Sequence, residues 1–344
     1  MNVEEYRKAF PVLKDHVYLN TAASGLLYDG LVEWRKRHDQ EFSKGGSIFR
    51  MQQYELLEEV RKTVAVEFGA EDSRVFLTPN FSIGINVIAR QFQQKKVLLL
   101  EGDYPSLVQA FELGNFEIVK VPISVNVEEA IEQTVQKETP DILALSLVQY
   151  ISGLKIDLEF LKKLKAVFPN LAIIADGTQF CGTAPFDFES SGIDILAASG
   201  YKWLLGGYGC GFVLTTPQAH DDFFTQNGSH LFEPGHVDSL NFGSLKYSLD
   251  HLSDIGWTTI SERMKTLSMH AKDVFCDLGL IDRDLHDREH STIFNIPGDS
   301  QLFEKLSDQK IVCAQRGNGI RFSFHWYNTL DEIDFLKNVL VEEL

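Results

Sequence analysis

Between residues 74 and 215 short apolar runs alternate with amphipathic stretches, and this rhythm limits the possible folds more than any other feature of the chain. The runs at 74–78, 97–101, 116–121, 142–147, 172–176, 193–198 and 210–215 have the length and composition of strands. The stretches at 82–92, 106–113, 127–135 and 158–168 carry helical periodicity. Strand, helix, strand at this spacing implies an α/β fold with a largely parallel sheet covered on both faces. Ligands of such sheets sit at the carboxyl ends of the strands. Upstream, 54–68 has helical spacing and Gly69 supplies a stop signal. After about residue 255 the pattern changes to a long amphipathic helix (258–278), β-like runs at 292–296, 310–313 and 320–324, and a final helix near 330–341. The chain is therefore expected to divide into a large ligand-binding domain, 16–255, and a smaller α+β C-terminal domain, 256–344, joined by 1–15. A length of 344 residues is ample for two cores.

Charge narrows the function. A formal net charge of −17 argues against a nucleic-acid partner, which needs a basic footprint. It leaves room for an anionic ligand, because a local pocket can oppose the global field. No apolar run reaches the roughly 18 residues of a membrane helix, and the start, MNVEEYRKAF, has no apolar signal core. A cytoplasmic protein without a membrane partner is expected. The four cysteines, Cys181, Cys210, Cys276 and Cys313, are widely spaced and form no CxxC pair, so neither a metal site nor a disulfide framework is indicated.

The chemistry concentrates between residues 172 and 211. An apolar run, LAIIAD, ends in Asp176, and Gln179 follows three residues later. A second apolar run leads into Ser199-Gly200-Tyr201-Lys202, with glycines at 206, 207, 209 and 211. Each feature has a plain structural reading: a strand-end Asp caps turns, and a lysine beside Trp203 usually snorkels to solvent. The glycines contain no GxGxxG, and the chain has no GxxxxGK[ST], HExxH or GxSxG. Together the residues suit pyridoxal 5′-phosphate (PLP). Its aldehyde needs a lysine amine, its ring nitrogen needs a carboxylate that keeps it protonated, and its phosphate needs hydroxyl and backbone donors.

In order and spacing, Asp176-Gly177-Thr178-Gln179 followed by Ser199-Gly200-Tyr201-Lys202 resembles the class V aminotransferase family of fold type I PLP enzymes. That family includes cysteine desulfurases, selenocysteine lyases, isopenicillin-N-epimerase-like proteins and kynureninase relatives. The resemblance runs from Tyr18-Leu19-Asn20-Thr21-Ala22-Ala23 to Tyr327-Asn328-Thr329. It implies the PLP-dependent transferase-like fold and an amino-acid substrate. It makes Lys202 the Schiff-base lysine, Asp176 the partner of the ring nitrogen and Gln179 a contact of the ring hydroxyl. Ser199 and Tyr201 would hold the phosphate, although many relatives carry His at the second position. Phe76-Leu77-Thr78-Pro79-Asn80-Phe81-Ser82 resembles the family's phosphate loop, bringing Phe81 and Ser82 to the cofactor, and a helix N-terminus there would bind an anion on physical grounds alone. Tyr104, in Glu101-Gly102-Asp103-Tyr104-Pro105-Ser106, stands where the family places an aromatic over the ring. Arg321 resembles the arginine for the substrate α-carboxylate, a role suited to a bidentate guanidinium; its structural alternative is an ion pair with Asp331, Glu332 or Asp334.

Several positions depart from the family pattern. Tyr150 replaces an asparagine near the ring hydroxyl and, with Asn20, is a candidate substrate contact. His236 stands where relatives have a threonine that reaches the phosphate of the neighbouring subunit. The resemblance implies a homodimer with its active site at the subunit interface. The loop that carries a mobile cysteine in desulfurases is short here, Ala314-Gln315-Arg316-Gly317-Asn318-Gly319, and Cys313 precedes it inside an apparent strand. Reactive thiols need access and a lowered pKa. An aminotransferase or epimerase-like enzyme is therefore placed ahead of the alternative, a cysteine desulfurase or selenocysteine lyase. In either case a freed Lys202 would act as general base at the substrate α-carbon.

Overall fold

The computed structural model describes residues 3–224, 228–282, 284 and 288–343. Helix α1 (Val3–Arg7) and strand β1 (Val17–Tyr18) precede a long helix, α2 (Asp29–Phe68). The large sheet and its helices follow as β2 (Val75–Leu77), α3 (Phe81–Ala89), β3 (Lys96–Glu101), α4 (Pro105–Glu112), β4 (Glu117–Pro122), α5 (Val127–Glu138), β5 (Ile142–Ser146), α6 (Leu158–Val167), β6 (Ala172–Asp176), β7 (Ile195–Ser199) and β8 (Gly211–Thr215). Helices α7 (Pro217–Phe223), α8 (Gly228–Phe232), α9 (Ser239–Ile255) and α10 (Trp257–Asp277) lead to the C-terminal part. There β9 (Ile293–Pro297), α11 (Ser300–Asp308), β10 (Ile311–Val312), β11 (Ala314–Arg316), β12 (Gly319–Ser323) and α12 (Leu330–Glu343) complete the chain.

The seven-stranded sheet has the order β2-β8-β7-β6-β5-β3-β4. Pairings from β4 to β7 are parallel, while β8 runs antiparallel to both β7 and β2. Both faces are buried, and the period-two alternation of strands sorts the side chains. Leu98, Leu100, Leu143, Leu145, Ile173 and Ala198 point into one core, which includes Val60 and Val64 of α2 and Leu249 of α9. Val97, Leu99, Ala144, Ile174, Ile195 and Val213 point into the other, against Phe81 and Ile85 of α3 and Phe111 of α4. A third core lies under the β11-β12-β9 antiparallel sheet, where Leu267 and Phe275 of α10 meet Phe322 and Leu336. The N-terminal segment is tied to this region: β1 pairs with β10, and Arg7 donates to Tyr327 O and to Glu332.

The expected strands and sheet helices recur within a few residues, and Gly69 does cap α2 in a left-handed conformation at φ 60°. Helices α1, α7, α8, α9 and α11 were not read from the sequence, and α2 is longer than expected. The 54–68 helix begins at Asp29, because the two segments are joined through a kink at Gly46, whose φ 50°, ψ −125° only glycine adopts readily. Helix α9 repeats Phe242, Leu245, Leu249 and Leu252 at helical spacing. Its buried face also includes Gly243, Ser244 and Ser248, and a β-carbon at Gly243 would lie 2.4 Å from the Trp34 ring. Small residues are required there by close packing on α2.

Candidate active site

The carboxyl ends of β3, β5, β6 and β7 share one edge of the sheet, and β2 ends there as well because two antiparallel steps restore its direction. A cavity of about 370 Å³ opens at this edge. Ser146, Asp176 and Ser199 line it from the strand ends, and Pro79 to Ser82 from the start of α3. Tyr104, Tyr150, Thr178, Gln179, Tyr201, Lys202, Tyr208 and Gly209 close it from the connecting loops.

Lys202 is only 5% exposed, and among the described residues its amine has no hydrogen-bond or ion-pair partner. Its Nζ lies 5.7 Å from the Tyr104 ring centre and 5.6 Å from that of Tyr201. Burial holds the amine below the usual lysine range; Asp176 opposes the shift, and the Arg321 and Arg316 guanidiniums add to it. Asp176 is equally buried and accepts from Thr178 N at 2.8 Å. Burial raises its carboxyl, the Thr178 bonds and the Lys202 charge counter this, and the neighbouring Asp103 carboxylate reinforces it. A cation held against Asp176 would reverse that shift and keep the carboxylate ionised.

The remaining groups are fixed by short contacts. Ser199 Oγ accepts from Phe81 N at 2.8 Å, fastening the first turn of α3 to the end of β7. Asn80 caps the same helix through Ile83 N at 2.9 Å, and Ser82 Oγ donates to Ser106 Oγ at 2.8 Å. Gln179 donates to Ala22 O at 3.0 Å and accepts from the Trp203 indole at 2.7 Å, so protein partners already orient its amide. Burial pushes the Tyr201 hydroxyl up to about 12, keeping it a neutral donor.

Three sequence candidates lie outside the cavity lining. Arg321, 2% exposed, donates through Nη1 to Tyr150 O at 2.6 Å, while its buried Nε has no partner among the described residues. It makes none of the ion pairs considered from sequence: Glu332 is taken by Arg7, and Asp334 by His270. Asn20 forms an isolated bridge to Ser323, and its Oδ1 is likewise buried without a partner. His236 does not line the cavity that holds Lys202. It lies 2.9 Å from Arg50 and lines a separate cavity of about 350 Å³ beside Phe42, Phe49 and Tyr54.

Asp103 and Trp203 were not singled out from the sequence as site residues. Asp103 accepts from Tyr104 N at 2.6 Å and Ser146 N at 2.8 Å, welding two strand ends together beneath the cavity. Tyr208, on the glycine-rich turn, was also missed; it lines the cavity and donates to Ser24 at 3.0 Å. An acid two residues after a strand is too common a turn signal to reveal such a role.

The donor set fits PLP. A nine-residue helix presents its N-terminus beside serine and tyrosine hydroxyls, a buried carboxylate faces the same space as a buried amine, and aromatic rings flank that amine. The fold and sequence agree with known proteins. Over 353 residues the chain is 24% identical to an uncharacterized aminotransferase, YcbU, of Bacillus subtilis, covering 96% of this chain and 95% of the relative. It is 22% identical to a probable cysteine desulfurase of Methanothermobacter thermautotrophicus, covering 99% and 98%. A cysteine desulfurase from Thermococcus onnurineus NA1 superposes with a TM-score of 0.84 at 18% identity, covering 99% of this chain and 97% of that one. The family model for class-V aminotransferases matches residues 17–336, and the chain belongs to that family of PLP-dependent enzymes.

Proposed function

We propose that the protein binds PLP at the carboxyl edge of the large sheet and acts on an amino acid by aminotransferase or epimerase-like chemistry, with Lys202 as the catalytic lysine. The observation that carries this reading is Lys202 itself, a buried amine without a hydrogen-bond or ion-pair partner among the described residues, facing the same cavity as a buried carboxylate. In this reading Asp176 holds the protonated ring nitrogen, and Ser82, Ser199, Tyr201 and the α3 N-terminus hold the phosphate. Tyr104 covers one ring face, and Gln179 turns its remaining amide hydrogen towards the ring hydroxyl. Arg321 orients the substrate carboxylate, with Asn20 and Tyr150 nearby. When bound, PLP supplies an electron sink for bonds at the substrate α-carbon. Lys202 then moves a proton at that carbon, for which its lowered pKa suits it.

A spectroscopic titration of the purified enzyme with an amino-acid panel tests the reading. Transfer of the amino group with release of an oxo acid marks an aminotransferase, and exchange at the α-carbon without oxo acid marks epimerase chemistry. Borohydride should fix the cofactor to Lys202, and Lys202→Ala should abolish both fixation and turnover. Fixation that survives in Lys202→Ala would overturn the assignment.

Desulfurase chemistry is the second reading, favoured by the similarity to proteins named as desulfurases. Against it stands Cys313, which is 7% exposed, with burial pushing its thiol up to about 12. Release of alanine from L-cysteine that disappears in Cys313→Ala would restore it.

We also propose a cytoplasmic homodimer. Cys181, Cys210 and Cys313 are buried free thiols, which suits a reducing compartment. Apolar side chains on the N-terminal part of α2, including Phe42, Ile48, Met51 and Tyr54, are exposed beside His236. Pairing through this surface would carry His236 towards the partner's phosphate site.

A further inference from the structure

The β11–β12 hairpin holds a second guanidinium for which the proposed chemistry has no use. Its two-residue turn, Gly317-Asn318, has φ 57° at Gly317, and the register pairs Ala314 with Arg321 and Arg316 with Gly319. Directly paired residues share a face of the sheet, and alternate residues along a strand return to it. Arg316 and Arg321 therefore project from the same face as diagonal neighbours, roughly 7–8 Å apart at their bases. Asn295, opposite Arg321 on β9, donates to Arg316 O at 3.0 Å and holds the strand in place. The hairpin tip packs on the turn after Tyr150: a β-carbon at Gly317 would lie 3.5 Å from the Ile151 side chain. Arg321 donates to Tyr150 O in the same turn, and Tyr150 lines the cavity. The Lys202 amine registers the charges of both guanidiniums.

Arg7, Arg61, Arg74 and Arg288 each pair with a carboxylate, whereas Arg35, Arg37, Arg50, Arg90 and Arg263 form no ion pair among the described residues. Among the described residues neither Arg316 nor Arg321 has a carboxylate partner; Arg316 Nη1 donates to the adjacent Gln315 O at 3.0 Å. Arg321 is buried and Arg316 is exposed, both on the hairpin that packs against the Tyr150 turn. Two guanidiniums on one face of a hairpin, one buried and one exposed and neither ion-paired among the described residues, match a ligand with two anionic groups.

We propose that the substrate is an amino acid whose side chain ends in a carboxylate, with its α-carboxylate on Arg321 and its distal carboxylate on Arg316. This rests on the functional reading above and adds the substrate class. The tight hairpin lets Arg316 act as a fixed specificity residue, because a two-residue turn leaves little freedom to the strand that carries it.

The test compares kcat/KM of the holoenzyme for L-glutamate and L-aspartate with that for L-glutamine and L-asparagine, which match them in shape. Glutarate and valerate serve as unreactive competitors, followed through the absorbance of the bound cofactor. Acids are expected to exceed their amides by about tenfold or more, and glutarate to bind more tightly than valerate. Arg316→Gln should collapse both ratios towards one, and Arg316→Lys should retain part of them. Equal use of acids and amides by the unaltered enzyme would overturn the proposal, as would ratios that survive in Arg316→Gln. Borohydride fixation at Lys202, measured on the same samples, separates the two failures. Intact fixation without an acid preference removes the substrate class alone, whereas lost fixation removes the functional reading and this inference with it.

Discussion

At the scale of single residues, the site depends on charges held where water cannot stabilise them. Asp176 and Lys202 are each about 5% exposed, and burial drives both towards their neutral forms. Such a pair is costly for folding and useful for chemistry, which marks functional positions. Asp176→Asn keeps the shape and removes the charge. It should leave PLP fixed to Lys202 while lowering kcat by at least about 10²-fold, the usual loss when one preorganised electrostatic partner is removed. An unchanged kcat would mean that another group holds the ring nitrogen. Lys202, Asp176, Gln179 and Ser199 were legible in the sequence because they fall within one local order and spacing. Asp103 was not, because its importance arises from accepting the backbone N–H of Ser146, 43 residues away at the end of β5, as well as that of the adjacent Tyr104.

At the scale of elements, the lysine segment is held by the N-terminal strap that crosses it. Gly25 N donates to Tyr201 O at 2.8 Å, and a β-carbon at Gly25 would fall 2.1 Å from Lys202 O. Backbone packed this closely cannot yield as a side-chain tip could. Gly25→Ala should displace the 201–202 backbone, reduce cofactor occupancy measured by absorbance, and destabilise the fold by about 1–3 kcal/mol in denaturant titration. Full occupancy with unaltered stability would show that the strap moves freely. The rhythm of the sheet was readable because both faces of each strand are buried and the intervening helices are amphipathic. The early start of α2 was hidden, since Gly46 serves a kink that local periodicity does not encode. Helix α9 was missed although Phe242, Leu245, Leu249 and Leu252 repeat at helical spacing, whereas its close contact with α2 at Gly243 is not encoded by local periodicity.

At the scale of the whole molecule, buried histidines couple stability to pH. His325 is fully buried, stacked on Trp203 and Tyr327, and burial pushes it down to about 3 from an ordinary 6.5. His290 is similarly held at about 4. The unfolded chain takes up protons below about 6.5 that these folded imidazoles refuse, so their contribution is complete above that pH. It falls as pH drops towards 4 and then 3, by up to about 1.4 kcal/mol per pH unit for each group. The raised carboxyls of Asp103 and Asp176 act in the opposite sense, so the comparison must be with a variant. His325→Phe keeps a ring in the stack and should flatten the decline in Tm between pH 6 and 4; an equal slope would refute the assignment. Assembly belongs to this scale as well. Met51 is 73% exposed on the apolar part of α2, and Met51→Asp should shift the protein from dimer to monomer in light scattering. A monomeric parent protein would remove the partner role proposed for His236.

By itself the sequence determined the alternating α/β plan, the cofactor chemistry and the order of the residues that serve it. These are carried by period, by residue type and by spacing along a few tens of positions, all of which are local. Only the tertiary structure decided that Arg321 bonds the Tyr150 carbonyl and has no acidic partner among the described residues, and that Arg316 shares its face of the hairpin. The structure also brings Gly25 against the lysine backbone and leaves His236 outside the cavity of its own protomer. Those facts depend on which distant segments meet and in what register, and register is fixed by long-range packing that no window of sequence contains.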